Sequence, residues 1–246
     1  MTQRTALITG ATGGLGQAIA KTLAAVPLRL ALMGRSTEKL DRLRRDLGEA
    51  GQTATFAACD LGDRAAVQTA VDGFLAALGS IDVLVCSSGL NVPQRSLRSI
   101  DPADFDRVIA SNLTHSFNII HRVLPSMRTR GDGLIIQMGS LSSLRSSTLA
   151  GAAYSASKFA QLALGVVIGR EERGRNIRST VICAGEVNTP FLNQRAGRPG
   201  GGEGGGRRDS ILQPADIAAA VKFLVELPPH AHVPELVIKP TIDDFS

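Results

Sequence analysis

Tryptophan is absent from the 246 residues and tyrosine occurs once, so the chain has almost no large amphipathic rings. Although the net charge is +5, the arginines are spread over several predicted helices and do not form one stripe interleaved with aromatics, which argues against a nucleic-acid surface. Cysteine is scarce as well. Cys59, Cys86 and Cys183 are odd in number, far apart and set in apolar runs, so neither a disulfide framework nor a metal site is expected. No stretch reaches the roughly 18 to 20 apolar residues of a membrane span. MTQRTALITG runs directly into a strand-like segment without a signal-peptide pattern, and the expected location is cytoplasmic. A Pro/Ser-rich linker and a repeat of solenoid period are also missing. What remains is a chain whose 43% apolar content can fill a substantial core, read as a single domain over residues 1–246.

Buried-strand patterns recur at residues 5–9, 28–33, 54–59, 81–86, 134–138, 177–183 and 235–239. Helical patterns lie between them, among them GQAIAKTLAAV, STEKLDRLRRDLGEA and DRAAVQTAVDGFLAAL. Strand and helix in alternation imply a parallel sheet with helices on both faces and right-handed crossovers. The segment RAGRPGGGEGGGRRD, residues 195–209, carries seven glycines and cannot bury a core. It follows the sixth strand on the ligand-binding side of such a sheet, so residues 190–212 read either as a mobile substrate lid or as a tolerated insertion.

The lone tyrosine, Tyr154, stands in AAYSASKFA with Lys158 one helical turn further on. Residues i and i+4 share a helix face, so the ammonium can favour ionisation of the phenol. An isolated YxxxK is more often an ordinary helix with a solvated Lys, and the rest of the chain has to decide. The first strand runs into TGATGGLG, residues 9–16, and then into an amphipathic helix. Glycines there permit a tight turn, admit a pyrophosphate and let the helix pack closely on its strand, which points to a dinucleotide.

The TGxxxGxG turn, the YxxxK pair in YSASK and their separation along the whole chain resemble the short-chain dehydrogenase/reductase family. That resemblance implies one doubly wound Rossmann-type α/β domain with a seven-stranded parallel sheet, a nicotinamide cofactor and a homodimer or homotetramer built on long helices, here near residues 103–129 and 152–173. It also implies catalysis by Ser140, which holds the substrate oxygen, Tyr154 as general acid/base, Lys158, and Asn112 in a water-mediated proton relay. Cofactor contacts are implied at Gly10, Thr12, Gly14, Leu15 and Gly16, at Asp60 and Leu61 after the third strand, and at Tyr154 and Lys158.

Two segments depart from the family pattern. The fourth strand ends in CSSG where NNAG is usual, so Ser88 and Gly89 can still meet the cofactor while Cys86 is a poor substitute for an amide that ties strands together. The sixth strand leads into AGEVNT, with Ala184 in place of Pro and with Gly185, Val187 and Thr189 available to the cofactor. At the end of the second strand, where an NAD enzyme usually carries an acid for the ribose hydroxyls, this chain has Gly34 followed by Arg35 and Ser36. A guanidinium and a helix start there suit a 2'-phosphate, and the expected cofactor is NADP.

The expected function is therefore an NADP(H)-dependent oxidoreductase acting between a carbonyl and a secondary alcohol. Leu141, Leu144, Leu149, Phe191 and Leu192 flank the expected pocket. Arg130 and Arg175 fall near positions that are basic in reductases acting on 3-oxoacyl carrier proteins, but each also suits a helix end. The ending HVPELVIKPT resembles relatives that act on small hydroxy acids and dicarbonyls. Two other classes stay open: a non-catalytic NADP-binding sensor, and an interaction protein engaging polyanions through Arg195, Arg198, Arg207 and Arg208.

Overall fold

A computed structural model of the protein describes residues 3–194 and 210–241. Its sheet is built from β1 (Arg4–Thr9), β2 (Leu28–Gly34), β3 (Thr55–Ala58), β4 (Val83–Cys86), β5 (Gly133–Met138), β6 (Ile177–Ala184) and β7 (Glu235–Ile238). All seven strands are parallel, in the spatial order β3-β2-β1-β4-β5-β6-β7. Each expected strand is present, with ends shifted by at most two residues. The order reverses between β1 and β4. Loops leaving these two neighbours diverge, and the crevice between them is where a doubly wound sheet binds ligands.

Alternation along the strands explains the two-sided core. Ala6 and Ile8 of β1 face one layer with α1 (Gly14–Leu23) and α8 (Pro214–Glu226), where Ile19, Leu23, Ile217 and Val221 pack. Leu7 between them faces the other layer, with Val67 and Phe74 of α4 (Arg64–Leu78) and Ile119 and Val123 of α6 (His115–Arg130). All of these side chains are essentially inaccessible, so each Leu, Ile or Phe contributes about 1.5–3 kcal/mol of apolar transfer. Local chemistry sets the helix starts. Asp63 caps α4 by accepting from the Ala65 and Ala66 amides, and Ser36 caps α2 (Thr37–Asp46) by accepting from the Lys39 amide, even without an acid three positions on. A short α3 (Glu49–Thr53) leads into β3.

The long helix expected near 103–129 divides. It consists of α5 (Pro102–Ile109), a π-helical turn over Ala110–Thr114, and α6. The wide turn carries Asn112, and such turns are frequent at functional sites. The second long helix is α7 (Ala152–Glu171), which carries both Tyr154 and Lys158. Two short 3-10 turns, Leu141–Ser143 and Pro190–Gln194, follow β5 and β6 respectively. Of the expected lid, Leu212 forms a parallel bridge with Val187, while residues 195–209 and their four arginines lie outside the described residues. No helix among the described residues is long and apolar enough to cross a membrane.

Candidate active site

The glycine turn is shaped by close backbone contacts. Gly10 has φ +62, and a Cβ on it would lie 2.9 Å from the backbone nitrogen and Oγ of Ser88. A Cβ on Gly16 would approach the Gly10 carbonyl oxygen to 2.2 Å, so α1 meets its own entry turn without room for a methyl group. Gly14 is similarly close to Thr189, whose side chain a Cβ would meet at 3.2 Å, and this brings the loop after β6 against the turn. Thr12 lies over Gly34 at the end of β2, while Gln17 donates to the Thr12 carbonyl at 2.8 Å. Gly10, Thr12, Gly14, Leu15 and Gly16 are thus collected with Ser88, Gly89, Gly185, Val187 and Thr189 at one end of the sheet. A cradle of bare backbone at the start of a helix fits a pyrophosphate, so the residues present suit a dinucleotide.

The unusual CSSG segment finds its own way to join strands. Ser87 donates its hydroxyl to the Thr9 carbonyl at 2.7 Å, linking the end of β4 to the end of β1. The serine next to Cys86 therefore supplies a tie, and the expected loss of rigidity is compensated locally. Cys86 is buried among apolar side chains, which pushes its thiol up to about 12. At the other end of the crevice, Arg35 is exposed immediately after β2 and Ser36 forms the cap of α2. Asp60 is exposed after β3 and accepts the Gly62 amide at 2.9 Å, but the Leu61 side chain is buried with Cys59 and Val67. His115 was not anticipated here. A Cβ on Gly62 would lie 3.1 Å from His115 Nε2 and 3.3 Å from Asp60 Oδ1, which places an imidazole beside that carboxylate.

One cavity of about 390 Å³ joins these loops. Ser140, Tyr154 and Lys158 line it together with Gly14, Leu15, Ser88, Gly89, Gly185, Val187 and Thr189. Ser140 leads into the 3-10 turn, where its Oγ accepts the Ser142 amide at 3.1 Å and its own amide donates to Ser143 Oγ at 3.2 Å. The Tyr154 ring stands 5.9 Å from that of Phe191, centroid to centroid, and the Lys158 ammonium lies 5.5 Å from the Tyr154 centroid. Of the apolar residues expected around the pocket, Leu141, Leu149, Phe191 and Leu192 line it and Leu144 does not.

Lys158 is buried, donating to the Met138 carbonyl at 2.6 Å and to Gln161 Oε1 at 2.8 Å. Burial lowers its pKa from 10.5 to about 8. Between those values the unfolded chain binds more protons, so this group makes stability rise with pH. The Cys86 and Cys183 thiols, raised from 9.0 to about 12 and about 11, and Cys59, also raised by burial, act in the opposite sense as their unfolded forms ionise from about pH 8 upward. The lysine is therefore isolated by difference. Between pH 8 and 9, urea unfolding is expected to show the wild type gaining about 1 kcal/mol relative to a Lys158→Met variant.

Asn112 is placed one step back from the cavity. Its Oδ1 accepts the Leu90 amide at 2.8 Å, while its Nδ2 donates to the Leu90 carbonyl at 3.0 Å and to Ser157 Oγ at 2.9 Å. This amide ties the loop after β4 to α7, and Ser157 and Gln161 continue the network, with Gln161 Nε2 donating to Ser116 Oγ at 3.2 Å. Neither Ser157 nor Gln161 carries a signal in the sequence except its position on the Tyr154 helix face. Arg130 and Arg175 lie elsewhere: Arg130 pairs with Asp82 at 2.6 Å, before β4 begins, and Arg175 lies 3.7 Å from Glu172. Both satisfy local charges at helix ends.

Comparison with known proteins gives the same picture over nearly the full length. A family profile described as short chain dehydrogenase matches residues 4–198. Sulfoacetaldehyde reductase 2 of Chromohalobacter salexigens is 30% identical over 242 residues, spanning 98% of this chain and 95% of that protein. The alcohol dehydrogenase of the archaeon Thermococcus sibiricus, solved with 5-hydroxy-NADP, has a TM-score of 0.85 at 28% identity and matches 98% of this chain and 97% of its own. A metagenomic short-chain oxidoreductase in complex with NADP has a TM-score of 0.82 at 30% identity, over 98% of this chain and 99% of its own. With a glycine turn opening a seven-stranded parallel sheet, a Tyr–Lys helix beside it and relatives aligned end to end, the chain belongs to the short chain dehydrogenase family and is an oxidoreductase by that membership.

Proposed function

We propose that the protein transfers hydride between NADP(H) and a small carbonyl or secondary alcohol, with Tyr154 as the general acid/base. The observation that carries this reading is the convergence of Ser140, Tyr154 and Lys158 on one cavity that also contains the glycine turn. When bound, the reduced nicotinamide supplies the hydride. Tyr154 gives its phenolic proton to the substrate oxygen as negative charge grows there, and Ser140 Oγ donates a hydrogen bond to the same oxygen. Lys158, 5.5 Å from the Tyr154 ring centre, offsets the charge left on the phenolic oxygen. Asn112 fixes the helix that carries the pair, and water beside it continues the proton path. Gly10, Thr12, Gly14, Leu15, Gly16, Ser88, Gly89, Gly185, Val187 and Thr189 hold the pyrophosphate and nicotinamide side, with Asp60 and the Leu61 backbone at the adenine.

The preference for NADP rests on Arg35 and Ser36 following Gly34, and it is supported by the NADP complexes of the two structural relatives. Arg35→Ala is expected to weaken NADPH binding by about 10-fold or more and to leave NADH binding nearly unchanged, read by nicotinamide fluorescence. Exposed Phe117, Phe159, Val166 and Val167 on α6 and α7, and Phe223 on α8, support a homodimer or homotetramer. A NADPH titration followed by a panel of aldehydes and ketones tests the whole reading. Binding without oxidation of NADPH by any carbonyl would leave a sensor, not an enzyme.

A further inference from the structure

Lys158 is a buried cation held by neutral oxygens. Its ammonium donates to the Met138 carbonyl at 2.6 Å and to Gln161 Oε1 at 2.8 Å, and neither acceptor carries a charge. The titratable groups that face it are Tyr154 on its own helix, with the ring centre 5.5 Å away, and Cys183 on β6. Burial pushes the Cys183 thiol up to about 11, so near neutral pH it supplies no negative charge. A buried ammonium without an anion depends on each of its hydrogen bonds to stay protonated. The Met138 carbonyl is backbone and would be there with any side chain. Gln161 is the acceptor that the sequence chooses.

An amide can present its oxygen or its nitrogen, and here the surroundings decide which. Gln161 is buried on α7, and its Nε2 donates to Ser116 Oγ at 3.2 Å. Ser116 Oγ in turn donates to the Asn112 carbonyl at 3.2 Å. A hydroxyl has one proton, so with that proton spent on Asn112 the Ser116 oxygen can only accept from Gln161. This turns the amide oxygen toward Lys158. The other end requires the same orientation, because an ammonium offers donors only. A flipped amide would set donor against donor at Lys158 and oxygen against oxygen at Ser116. The relay begins in the π-helical turn that carries Asn112: a carbonyl orients a hydroxyl, the hydroxyl orients an amide, and the amide holds the ammonium.

We propose that Gln161 is a positioning residue for the reaction: oriented through Ser116, its amide oxygen keeps the Lys158 ammonium charged and in place beside Tyr154. This inference rests on the hydride-transfer reading above for its purpose, while its test needs no turnover. Lys158 lies at about 8, close enough to neutral that losing one bond would discharge it where the enzyme works.

The test follows Lys158 by NMR of the lysine side-chain resonances in the full-length protein. The chain has five lysines, of which Lys158 is the buried one, so its titration stands apart from those of Lys21, Lys39, Lys222 and Lys239. Gln161→Leu is expected to lower the Lys158 titration by about one pH unit or more, the weight of a hydrogen bond to a charged group. Gln161→Glu keeps an oxygen there and is expected to hold Lys158 at or above its wild-type value. Ser116→Ala frees the far side of the amide and is expected to lower Lys158 by a smaller amount. The single tyrosine gives a second signal: ultraviolet absorbance after a rapid pH jump is expected to show Tyr154 ionising at higher pH in Gln161→Leu than in wild type.

An unchanged Lys158 titration in Gln161→Leu overturns the inference and leaves hydride transfer standing. Equal drops in Gln161→Leu and Gln161→Glu would trace the effect to packing and overturn it too. So would a Lys158 shift with no change in Tyr154. Should Gln161→Leu fail to fold, Ser116→Ala decides: a lowered Lys158 supports the relay and an unmoved one overturns it. If Lys158 and Tyr154 shift as expected but no carbonyl oxidises NADPH, the catalytic reading falls and the hold of Gln161 on Lys158 remains.

Discussion

Replacing Tyr154 with Phe is expected to lower kcat by at least about 10²- to 10⁴-fold while NADPH still binds. The range is that of a general acid removed from an otherwise intact site. The phenyl ring keeps the bulk that packs toward Phe191 and against Val92 and Ala153, so the fold loses a hydroxyl and little else. Single-turnover stopped-flow with enzyme-bound NADPH separates the step itself from product release. A wild-type rate in that measurement would remove Tyr154 from the proton-donating role. Because the protein has one tyrosine and no tryptophan, the same substitution also removes its tyrosine absorbance, which makes the variant easy to authenticate.

Gly16→Ala is expected to weaken NADPH binding by about 100-fold and to cost roughly 1–3 kcal/mol of stability. The added methyl carbon would lie 2.2 Å from the Gly10 carbonyl oxygen and 2.8 Å from Ala11 Cα, and both are backbone that no rotamer change can move. Relief requires the turn and α1 to part by about an ångström; overpacking carries that stability range, and a displacement of that size costs about 10² where groups must be aligned. Gly73, where an added Cβ would meet nothing within 4 Å, is the control: Gly73→Ala on α4 is expected to leave cofactor binding alone. Fluorescence titration and urea unfolding of the two variants decide it. Equal NADPH affinity in Gly16→Ala and wild type would show that the turn does not grip the cofactor.

The architecture was legible because buried parallel strands write themselves as unbroken apolar runs and the helices between them repeat with a different period. Seven such runs gave seven strands, and the glycine turn marked the first crossover. The π turn at Ala110–Thr114 was not legible, since nothing in ASNLT distinguishes a wide turn from a regular one. The segment CSSG shows at most that Ser87 can hydrogen-bond; its tie to Thr9 depends on two strands that are far apart in sequence. Likewise Arg95 carries no motif. It packs against Gly151, more than fifty residues later, and only a folded chain brings the two together. His115 beside Asp60 is the same kind of encounter, between the start of α6 and the end of β3.

The wide turn has a consequence for how this chain tolerates change in length. An α-helix advances about 100° per residue, so one extra residue within a turn sets the side chains before and after it out of phase by that angle. Removing any single residue from 110–114 would restore regular phase and swing α5, with Val108, around relative to α6. Point substitutions that keep the count leave the phasing intact. Along this stretch the protein should therefore accept altered spelling far more readily than a shortened word.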